Sequence, residues 1–425
     1  MTSGNTTQVT KSVSNWWRWS AIGALLIGAA SGCKAPETAN NTVSTADTSN
    51  IANDATSNNA GSAATVSSAA PYEGSDILLG EYASLSGGTA TFGKSSSNGT
   101  ALAVEEINKT GGVLGKKIRV RVEDTASKPE GAASAVTKLI NSDKVLAVLG
   151  EVASSRSLAA APICQAAGVP MISPSSTNPK VTQVGDFIFR TCFIDPYQGP
   201  VIAKFAKGTL KAKTGAILQD VKNAYSVGLT ETIAGEFNKG AKIVATESFQ
   251  EGDKDFRAQL TSIKRANPDV LFVPAYYNEV GLIARQARSL GIKSVMLGTD
   301  GWDSEKLTEI GRDAIEGSYF SNHYSPQSKD PRVVRFVTAY KAKFGAVPDA
   351  LAAVGYDAAR IMIDAIKRSG GTDRNKIREA IATTKNYPGV TGDITIDKNR
   401  NAIKPIVILQ IKNGAYSYVT TIKPE

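Results

Sequence analysis

Two hydroxyl-rich segments have the residue types that bind a carboxylate. Residues 150–155 and residues 173–179 each follow a short apolar run that is typical of a buried strand, and each leads towards a helical pattern. Hydroxyl groups and free backbone N–H groups at a helix N-terminus favour an anion. Taken singly, Ser154 or Thr177 is more often only a helix cap, but two such turns at successive strand ends favour a binding site.

A carboxylate and aromatic rings follow two later apolar runs. Tyr276, Asp300 and Trp302 lie just after these runs, where the strands of a sheet are expected to end. Asp300 followed by Gly301 is by itself a common turn sequence. An acidic side chain opposite an anion-binding site nevertheless suits a zwitterion, because the ammonium group of an α-amino acid needs a negative partner.

The sequence lacks the common catalytic and metal-binding patterns. It contains three cysteines and one histidine, His323, so a Cys/His zinc site or a histidine-based triad has few residues to draw on. Residues 111–117 resemble a phosphate loop, but one spacer residue is missing and Lys117 replaces the required Ser or Thr. Neither Gly-x-Ser-x-Gly nor Gly-x-Gly-x-x-Gly occurs. We therefore expect no enzyme activity, no cofactor and no metal.

The length and composition predict two globular domains. The chain has 425 residues, and domains usually contain about 100–200. Its 42% hydrophobic and 20% charged residues are ordinary for a folded protein. The formal net charge is +9, but basic and acidic residues alternate, as in residues 254–257. This pattern is typical of a solvated surface, and we expect no nucleic-acid partner.

From Asp76 onward, short apolar runs alternate with segments of helical spacing. One series extends to about Cys192, and a second series follows it. This alternation is typical of βαβ units, whose parallel strands are covered by helices on both faces. The segment after His323 is mostly helical and ends in strand-like runs. We expect two doubly wound sheets, with a ligand beyond the carboxyl ends of their strands.

Residues 1–33 are typical of an export signal. Basic residues precede a short apolar run at residues 21–30, which is shorter than the about 20 residues of a membrane-spanning helix. Small residues then precede Cys33, as in a bacterial lipobox whose cysteine is acylated. Ala30 stands where Leu is usual, so ordinary signal-peptide cleavage is the alternative.

Residues 34–75 differ in composition from the rest of the chain. Ser, Thr, Asn and Ala dominate them, and no aromatic residue occurs before Tyr72. Such a segment has too little apolar surface to offset the loss of chain entropy on folding. We expect a disordered tether between an acylated Cys33 and the folded domains.

Four stretches carry a resemblance to a known family. Residues 82–87 read Tyr-Ala-Ser-Leu-Ser-Gly, and residues 171–179 read Met-Ile-Ser-Pro-Ser-Ser-Thr-Asn-Pro. Residues 190–200 contain Arg-Thr-Cys-Phe-Ile-Asp followed by Gln-Gly-Pro, and residues 285–291 read Arg-Gln-Ala-Arg-Ser-Leu-Gly. With these stretches, residues 76–425 resemble the type I periplasmic binding proteins of branched-chain and hydrophobic amino acid ABC transporters.

The resemblance implies roles for individual residues. Ser154 matches the residue that binds the ligand α-carboxylate, and Asp300 matches the acidic partner of the ammonium group. Ser175 and Thr177 match positions that share the carboxylate and ammonium contacts. Aromatic walls of the pocket are implied at Phe92, Tyr225 and Tyr276. Two further aromatic residues lie near these motifs without matching them and are added as candidates, Trp302 and Tyr324.

The resemblance also implies an α/β architecture of two doubly wound parallel-sheet lobes joined by a three-crossover hinge. The expected boundaries are 76–193 with 324–402 for lobe 1 and 194–323 with 403–425 for lobe 2. A monomer would close around a neutral, branched-chain or hydrophobic L-amino acid and deliver it to a membrane ABC permease. The protein would lie in the periplasm, anchored to the membrane by its N-terminal lipid.

Three other functions stay open at this point. The same fold can carry or sense another small polar ligand, such as an amide or urea. Asp300 opposite Ser154 and Thr177 favours an α-amino acid over these ligands. A hydrolase or synthase of two α/β domains is a more remote alternative, because the sequence offers no catalytic constellation for it. A purely structural surface lipoprotein is the third alternative.

The two remaining cysteines, Cys164 and Cys192, predict a disulfide. Export would place them in an oxidising compartment, where disulfides persist. Cys164 lies late in a predicted helix, and Cys192 lies at the end of a strand that is expected to run beside it. Two buried thiols are the alternative, because a free cysteine behaves as a small hydrophobic residue.

Overall fold

The computed structural model of the protein describes Tyr72 and residues 74–423. The predicted signal peptide (1–33), the lipidation of Cys33 and nearly all of the predicted tether (34–75) lie outside the described residues. Within the described part of the chain, no helix is long and apolar enough to cross a bilayer.

Tyr72 packs against the folded part of the chain. Its hydroxyl donates a hydrogen bond to the carbonyl oxygen of Asp76 at 2.7 Å and accepts one from the backbone N–H of Leu78 at 3.0 Å. The hydroxyl of Thr372 also lies 3.3 Å from the carbonyl oxygen of Tyr72. Contacts with the folded part therefore begin inside the segment that was expected to be a tether.

The first sheet contains five parallel strands, in the spatial order β2-β1-β3-β4-β5. The strands are β1 (Ile77–Ala83), β2 (Ile118–Asp124), β3 (Ala147–Leu149), β4 (Met171–Ser173) and β5 (Ile188–Arg190). The helices between them are α1 (Ala90–Lys109), α2 (Pro129–Asn141), α3 (Ser154–Ala166) and α4 (Lys180–Gln183).

The second sheet begins with five further parallel strands. They are β6 (Thr214–Asp220), β7 (Lys242–Phe249), β8 (Val270–Phe272), β9 (Val295–Gly298) and β10 (Tyr319–Asn322). The helices of this region are α5 (Asp195–Gly208), α6 (Ala224–Phe237), α7 (Arg257–Ala266), α8 (Tyr277–Ser289) and α9 (Glu305–Gly311). Two 3₁₀ helices flank α9, at Asp300–Trp302 and Arg312–Ile315.

The C-terminal part of the chain returns to both sheets. It contains α10 (Pro331–Phe344), α11 (Ala350–Ser369), α12 (Arg374–Ala382) and a small antiparallel sheet of β11 (Tyr387–Gly389), β12 (Gly392–Ile396) and β13 (Ala402–Ile403). The last two strands, β14 (Ile406–Lys412) and β15 (Ala415–Ile422), extend the second sheet in antiparallel fashion. Its order is β15-β14-β10-β9-β8-β6-β7.

These elements form two lobes. Lobe 1 contains β1–β5, β11–β13, α1–α4 and α10–α12, and lobe 2 contains β6–β10, β14, β15 and α5–α9. The chain passes between the lobes three times, after β5, after β10 and between β13 and β14. The predicted fold class is therefore confirmed.

Two glycines let α1 and α11 touch in lobe 1. A Cβ atom at Gly99 would lie 2.0 Å from the carbonyl oxygen of Ala352, and one at Gly355 would lie 2.4 Å from the carbonyl oxygen of Ser96. No side chain fits between backbones at this distance, so glycine is required at both positions. The contact holds α11 on the first sheet, although lobe 2 separates α11 from α1 in the sequence.

The strands that carry the candidate site are short and buried. All residues of β3, β4 and β8 are buried, as expected for parallel strands with helices on both faces. Polar residues begin where these strands end. The helix expected from residue 200 begins earlier, at Asp195, because a proline in the first turn favours helix initiation.

Candidate functional site

Ser154 lies at the start of α3, directly beyond the end of β3. It is the first residue of the helix, and Ala153 occupies the cap position without a side-chain cap. The Ser154 hydroxyl accepts a hydrogen bond from the backbone N–H of Asn178 at 3.2 Å. Ser154 is therefore not a helix cap, and the first N–H groups of α3 have no partner within the helix.

The segment 173–179 is the second part of the candidate site that lobe 1 provides, and a buried arginine holds it. The guanidinium of Arg190 donates hydrogen bonds to the carbonyl oxygens of Ser176 and Asn178, the latter at 2.8 Å. Burial lowers the pKa of Arg190, which still carries its charge. Arg190 thus fixes the backbone that presents Ser175 and Thr177.

Thr177 does not lie at a helix N-terminus. The helix after it, α4, begins only at Lys180 and has Pro179 in the cap position. The carbonyl oxygen of Thr177 instead accepts the backbone N–H of Asp195 at 3.0 Å, which links the segment to the start of α5. The prediction of two helix N-termini at the anion site is therefore wrong, and only α3 provides one.

Asp300 is the central residue of the part of the candidate site that lobe 2 provides. It follows β9 and begins a 3₁₀ helix, and only 3% of its surface is exposed. Its Oδ1 accepts hydrogen bonds from the Tyr225 hydroxyl at 2.9 Å and from Gln198 Nε2 at 2.8 Å. Its Oδ2 lies 3.1 Å from His323 Nε2 and 3.4 Å from the Ser175 hydroxyl. Four groups therefore hold this carboxylate.

The lobes contact each other directly around this carboxylate. Ser175 belongs to lobe 1 and Asp300 to lobe 2, so their hydrogen bond crosses the cleft. The hydroxyl of Ser155 also accepts the backbone N–H of Ala224 at 3.0 Å, which joins the start of α3 to the start of α6. Arg156 of lobe 1 pairs with Glu251 of lobe 2 at 3.0 Å. The structure is thus a closed conformation.

Three aromatic rings pack together beside Asp300. Tyr225 and Tyr276 stack with 5.2 Å between centroids, and the edge of Phe92 packs on Tyr276 at 5.3 Å. Phe92 comes from lobe 1 and both tyrosines from lobe 2. Burial raises the pKa of Tyr225 well above its usual value, so its hydroxyl stays a neutral donor to Asp300. The structure brings these predicted residues together with Ser154, Ser175, Thr177 and Asp300.

Trp302 and Tyr324 lie elsewhere. The Trp302 indole is fully buried in the core of lobe 2, lies against the backbone of Gly298 and donates to the carbonyl oxygen of Val273 at 2.9 Å. Tyr324 donates to the carbonyl oxygen of Pro348 and packs in the helical core of lobe 1. The placement of these two side chains does not support a role in the pocket.

Sequence reasoning missed Gln198 and His323. Gln198 comes from the first turn of α5 and also donates to the Ser321 hydroxyl at 3.0 Å. His323 follows β10, and its ring stacks on Phe193 with 4.1 Å between centroids. Both residues lie at crossings between the lobes. Gln198 belonged to a motif that marked the family, which was a usable signal, but His323 had none.

The contacts of His323 do not form a catalytic triad. In a triad, one imidazole nitrogen contacts the serine and the other contacts the carboxylate. Here Ser175 and Asp300 share Nε2, each at 3.1 Å. Nδ1 has no hydrogen-bond partner among the described residues. The imidazole therefore cannot pass a proton from the serine towards the carboxylate.

A second acidic residue, Asp195, is buried beside the site. Burial raises its pKa to about 8, and the charge of Asp300 adds to this effect. The Thr177 side chain and the Arg190 charge lower it in part. Asp195 is therefore largely protonated at neutral pH, and Asp300 is the negative group that faces Ser175.

Cys164 and Cys192 are both free and buried, which contradicts the predicted disulfide. Cys164 packs in the apolar core beneath α3. Cys192 instead directs its thiol to the carbonyl oxygen of Ser176 at 3.4 Å. Burial raises the pKa of both thiols, that of Cys192 to about 12, so both behave as small apolar groups.

Metal binding finds no support in the part of the chain that the structure describes. Over Tyr72 and residues 74–423, no cluster of three or more His, Cys, Asp or Glu side chains is arranged to hold an ion. The site offers a carboxylate, hydroxyls, N–H groups and aromatic rings. Groups of these kinds can bind a polar ligand by hydrogen bonds and charge.

Comparison with known proteins gives consistent matches over the folded part. The sequence profile of the family described as "Periplasmic binding protein" matches residues 77–415. A Leu/Ile/Val-binding protein of Rhizobium johnstonii is 33% identical over 329 residues, which is 77% of this chain and 89% of that protein.

Solved structures agree with these matches. A leucine-binding protein of Thermotoga maritima aligns with a TM-score of 0.79 and 42% identity over 82% of this chain and 99% of that one. The substrate-binding protein of a branched-chain amino acid transporter of Streptococcus pneumoniae, solved with isoleucine, aligns with a TM-score of 0.78 and 34% identity. That alignment covers 82% of this chain and 100% of the other.

Proposed function

The chain belongs to the periplasmic binding protein family, and from that membership we propose that it binds a neutral L-amino acid in the cleft between its lobes. A branched-chain or other hydrophobic amino acid is the expected ligand, and an ABC permease is the expected recipient. The protein then acts outside the cytoplasm as the capture component of a transporter, and we expect it to do so as a monomer.

The opposition of Asp300 to the hydroxyls of lobe 1 is the observation that supports this proposal most strongly. A zwitterion has two charged ends, and each needs a partner when the cleft excludes water. The Ser154 hydroxyl and the N–H groups at the start of α3 suit the carboxylate. Asp300 suits the ammonium group. Thr177 is fully buried and is proposed to contact both ends.

The aromatic rings support an apolar side chain on the ligand. Phe92, Tyr225 and Tyr276 are each no more than 5% exposed and pack edge to face or stacked. Such surfaces favour aliphatic groups through dispersion and loss of hydration. The relatives named for leucine, isoleucine and valine binding support the same ligand class.

Closure of the lobes supplies the proposed mechanism. The ligand contacts lobe 1 through its carboxylate and lobe 2 through its ammonium group, so it binds the closed conformation more tightly than the open one. The Arg156–Glu251 pair and the Ser155–Ala224 hydrogen bond form only when the lobes meet. A permease that recognises the closed surface would select the loaded protein.

Lipid anchoring at Cys33 belongs to the same proposal. Small residues precede Cys33, and a polar segment long enough for a tether follows it. Mass spectrometry of protein from native membranes is expected to find an acylated Cys33 at the N-terminus. An unmodified N-terminus at another position would contradict the anchor without affecting the ligand site.

Binding without catalysis is the proposed activity. The arrangement closest to a catalytic group is Ser175 with His323 and Asp300, and its geometry does not permit proton relay. A hydrolase is therefore disfavoured. Incubation with ester and amide substrates is expected to give no turnover above that of a heat-denatured sample.

A thermal-shift screen against the standard amino acids tests the proposal. A ligand at 100 times its Kd should stabilise the protein by about 2.7 kcal/mol. We expect leucine, isoleucine and valine to raise the Tm, and acidic or basic amino acids to leave it unchanged. Urea and small amides serve as the alternative ligands. A shift with these compounds and none with any amino acid would overturn the proposal.

A further inference from the structure

The imidazole of His323 is fixed between the two lobes. Its side chain is 0% exposed, and its ring stacks on Phe193 with an interplanar angle of 22°. Its Nε2 lies 3.1 Å from Asp300 Oδ2 and 3.1 Å from the Ser175 hydroxyl. One nitrogen therefore contacts the proposed ammonium partner and the opposite wall of the cleft.

These contacts define the protonation state of His323. A carboxylate only accepts hydrogen bonds, so Nε2 carries the hydrogen that reaches Asp300. Nδ1 has no hydrogen-bond partner within the described residues. Burial lowers the pKa of His323 below its usual 6.5, and the contact with Asp300 raises it only in part. His323 is therefore a neutral donor at neutral pH.

Charged groups from the neighbouring elements also act on His323 and Asp300. Lys404, from the third crossing between the lobes, opposes a positive charge on His323. Asp195 at the start of α5 and Asp303 at the end of the 3₁₀ helix both interact with the charge of Asp300. A proton on His323 would add a cation beside the carboxylate that the ligand requires.

We propose that His323 is a positioning residue for the ligand ammonium group. As a neutral donor it holds the Asp300 carboxylate in place, and protonation of its ring weakens the binding of a cationic group. An imidazolium and an ammonium would compete for the same oxygen in a desolvated cleft. The inference rests on the proposed function, since only an amino acid brings the ammonium group.

The proposed role of His323 makes ligand affinity depend on pH. The neutral ring is present above the pKa of His323, which lies below 6.5. Affinity for leucine is therefore constant near neutral pH and decreases as the pH falls below about 6.5. A ligand without an ammonium group is not subject to this decrease.

The first test uses the fact that the chain has a single histidine. Protein labelled with ¹⁵N-histidine and freed of any histidine tag gives one set of imidazole resonances. Its long-range ¹H–¹⁵N spectrum is expected to show the Nε2–H tautomer, and Asp300→Asn is expected to make the ring titrate at lower pH. An unchanged tautomer and titration in Asp300→Asn would overturn the inference, whether or not an amino acid binds.

The second test compares two substitutions by calorimetry, with leucine and with 4-methylpentanoate, which lacks the ammonium group. His323→Gln keeps a donor but cannot be protonated, so leucine affinity should stay near the parent's at pH 7.5 and lose its decrease at pH 5.5. His323→Leu removes the donor and should weaken leucine binding by roughly tenfold or more. It should leave the affinity for 4-methylpentanoate unchanged.

The outcomes of the second test separate positioning from general structural damage. Equal losses for both ligands in His323→Leu, or a parent-like pH dependence in His323→Gln, would overturn the inference. A parent protein that binds no neutral amino acid would refute the proposed function instead. The resonance titration then decides on the His323–Asp300 contact alone.

Discussion

Lobe 1 presents neutral donors to the cleft, whereas lobe 2 presents one carboxylate that is held by donors of its own. In lobe 1, the Ser154 hydroxyl lies among the N–H groups at the start of α3. In lobe 2, Asp300 is held by Tyr225 at 2.9 Å and by Gln198 at 2.8 Å. The proposed carboxylate site in lobe 1 therefore contains several donors, whereas the proposed ammonium site in lobe 2 depends on one residue.

This difference determines how each side responds to mutation. Backbone N–H groups cannot be removed by a side-chain substitution, so the lobe 1 site keeps most of its donors in any single variant. Loss of the Asp300 charge leaves the ligand ammonium group without its proposed partner. We therefore expect unequal losses of affinity for substitutions on the two sides.

Asp300→Asn tests the lobe 2 side and has the largest expected effect. The substitution keeps the volume but removes the charge, so the loss should be about 2–5 kcal/mol, or roughly thirtyfold and more in affinity. Calorimetry with leucine measures it. Glu309→Gln is the matched control, because it removes an exposed charge from α9, where Glu309 pairs with Lys306 of the same helix. Parent-like binding by Asp300→Asn would refute the ammonium site.

Ser154→Ala tests the lobe 1 side and should have a smaller effect. The hydroxyl contributes one hydrogen bond, worth about 1 kcal/mol, so the affinity for leucine should fall by roughly fivefold. The N–H groups of α3 remain in this variant. A loss as large as that in Asp300→Asn would contradict the expected difference between the two lobes in their contributions to affinity.

Glu251→Gln tests the contact between the lobes outside the ligand site. Arg156 is 3% exposed but Glu251 is 39% exposed, so solvent screens their pair and its contribution should be only about 0.5 kcal/mol. Ligand affinity should fall by roughly twofold, because the closed conformation loses this contact. Asp255→Asn is the control, since its pair with Arg257 lies wholly within lobe 2 and should not affect affinity.

Asp195→Asn tests whether the second buried acid contributes charge to the site. Its folded pKa of about 8 lies above the ordinary 3.8, so the protonated form is the stabilised one. Stability should therefore decrease as the pH rises from about 4 to about 8. The variant should raise the Tm by roughly 2 °C or more at pH 8.5, and less at pH 5. Leucine affinity at neutral pH should not change; a large loss would mean that Asp195 acts as an anion.

The parallel sheets and the strand-end segments were predictable because each depends on a local pattern. Apolar runs predicted strands ending at residues 149, 172 and 297, and the structure ends them at Leu149, Ser173 and Gly298. Parallel strands of one sheet end at the same edge, so the polar residues after β3 and β4 had to be neighbours. The family resemblance drawn from the motifs is confirmed by the match over residues 77–415.

Side-chain direction was not predictable from sequence position. Trp302 lies only two residues after Asp300, yet its indole turns back over Gly298 into the core of lobe 2. His323 contacts Asp300 because β10 pairs in parallel with β9, which places the ends of the two strands side by side. Thr177 was expected at a helix start, but Pro179 delays α4. These outcomes depend on tertiary packing, which no local pattern encodes.

Truncation of the ligand separates the contribution of each lobe to binding. Calorimetry compares leucine with 4-methylpentanoate, which lacks the ammonium group, and with 3-methylbutylamine, which lacks the carboxylate. Each truncated compound keeps its charged contact with one lobe only, so each should bind at least roughly thirtyfold more weakly than leucine. Binding of 4-methylpentanoate as tight as that of leucine would contradict the account, because Asp300 would then not be the partner of an ammonium group.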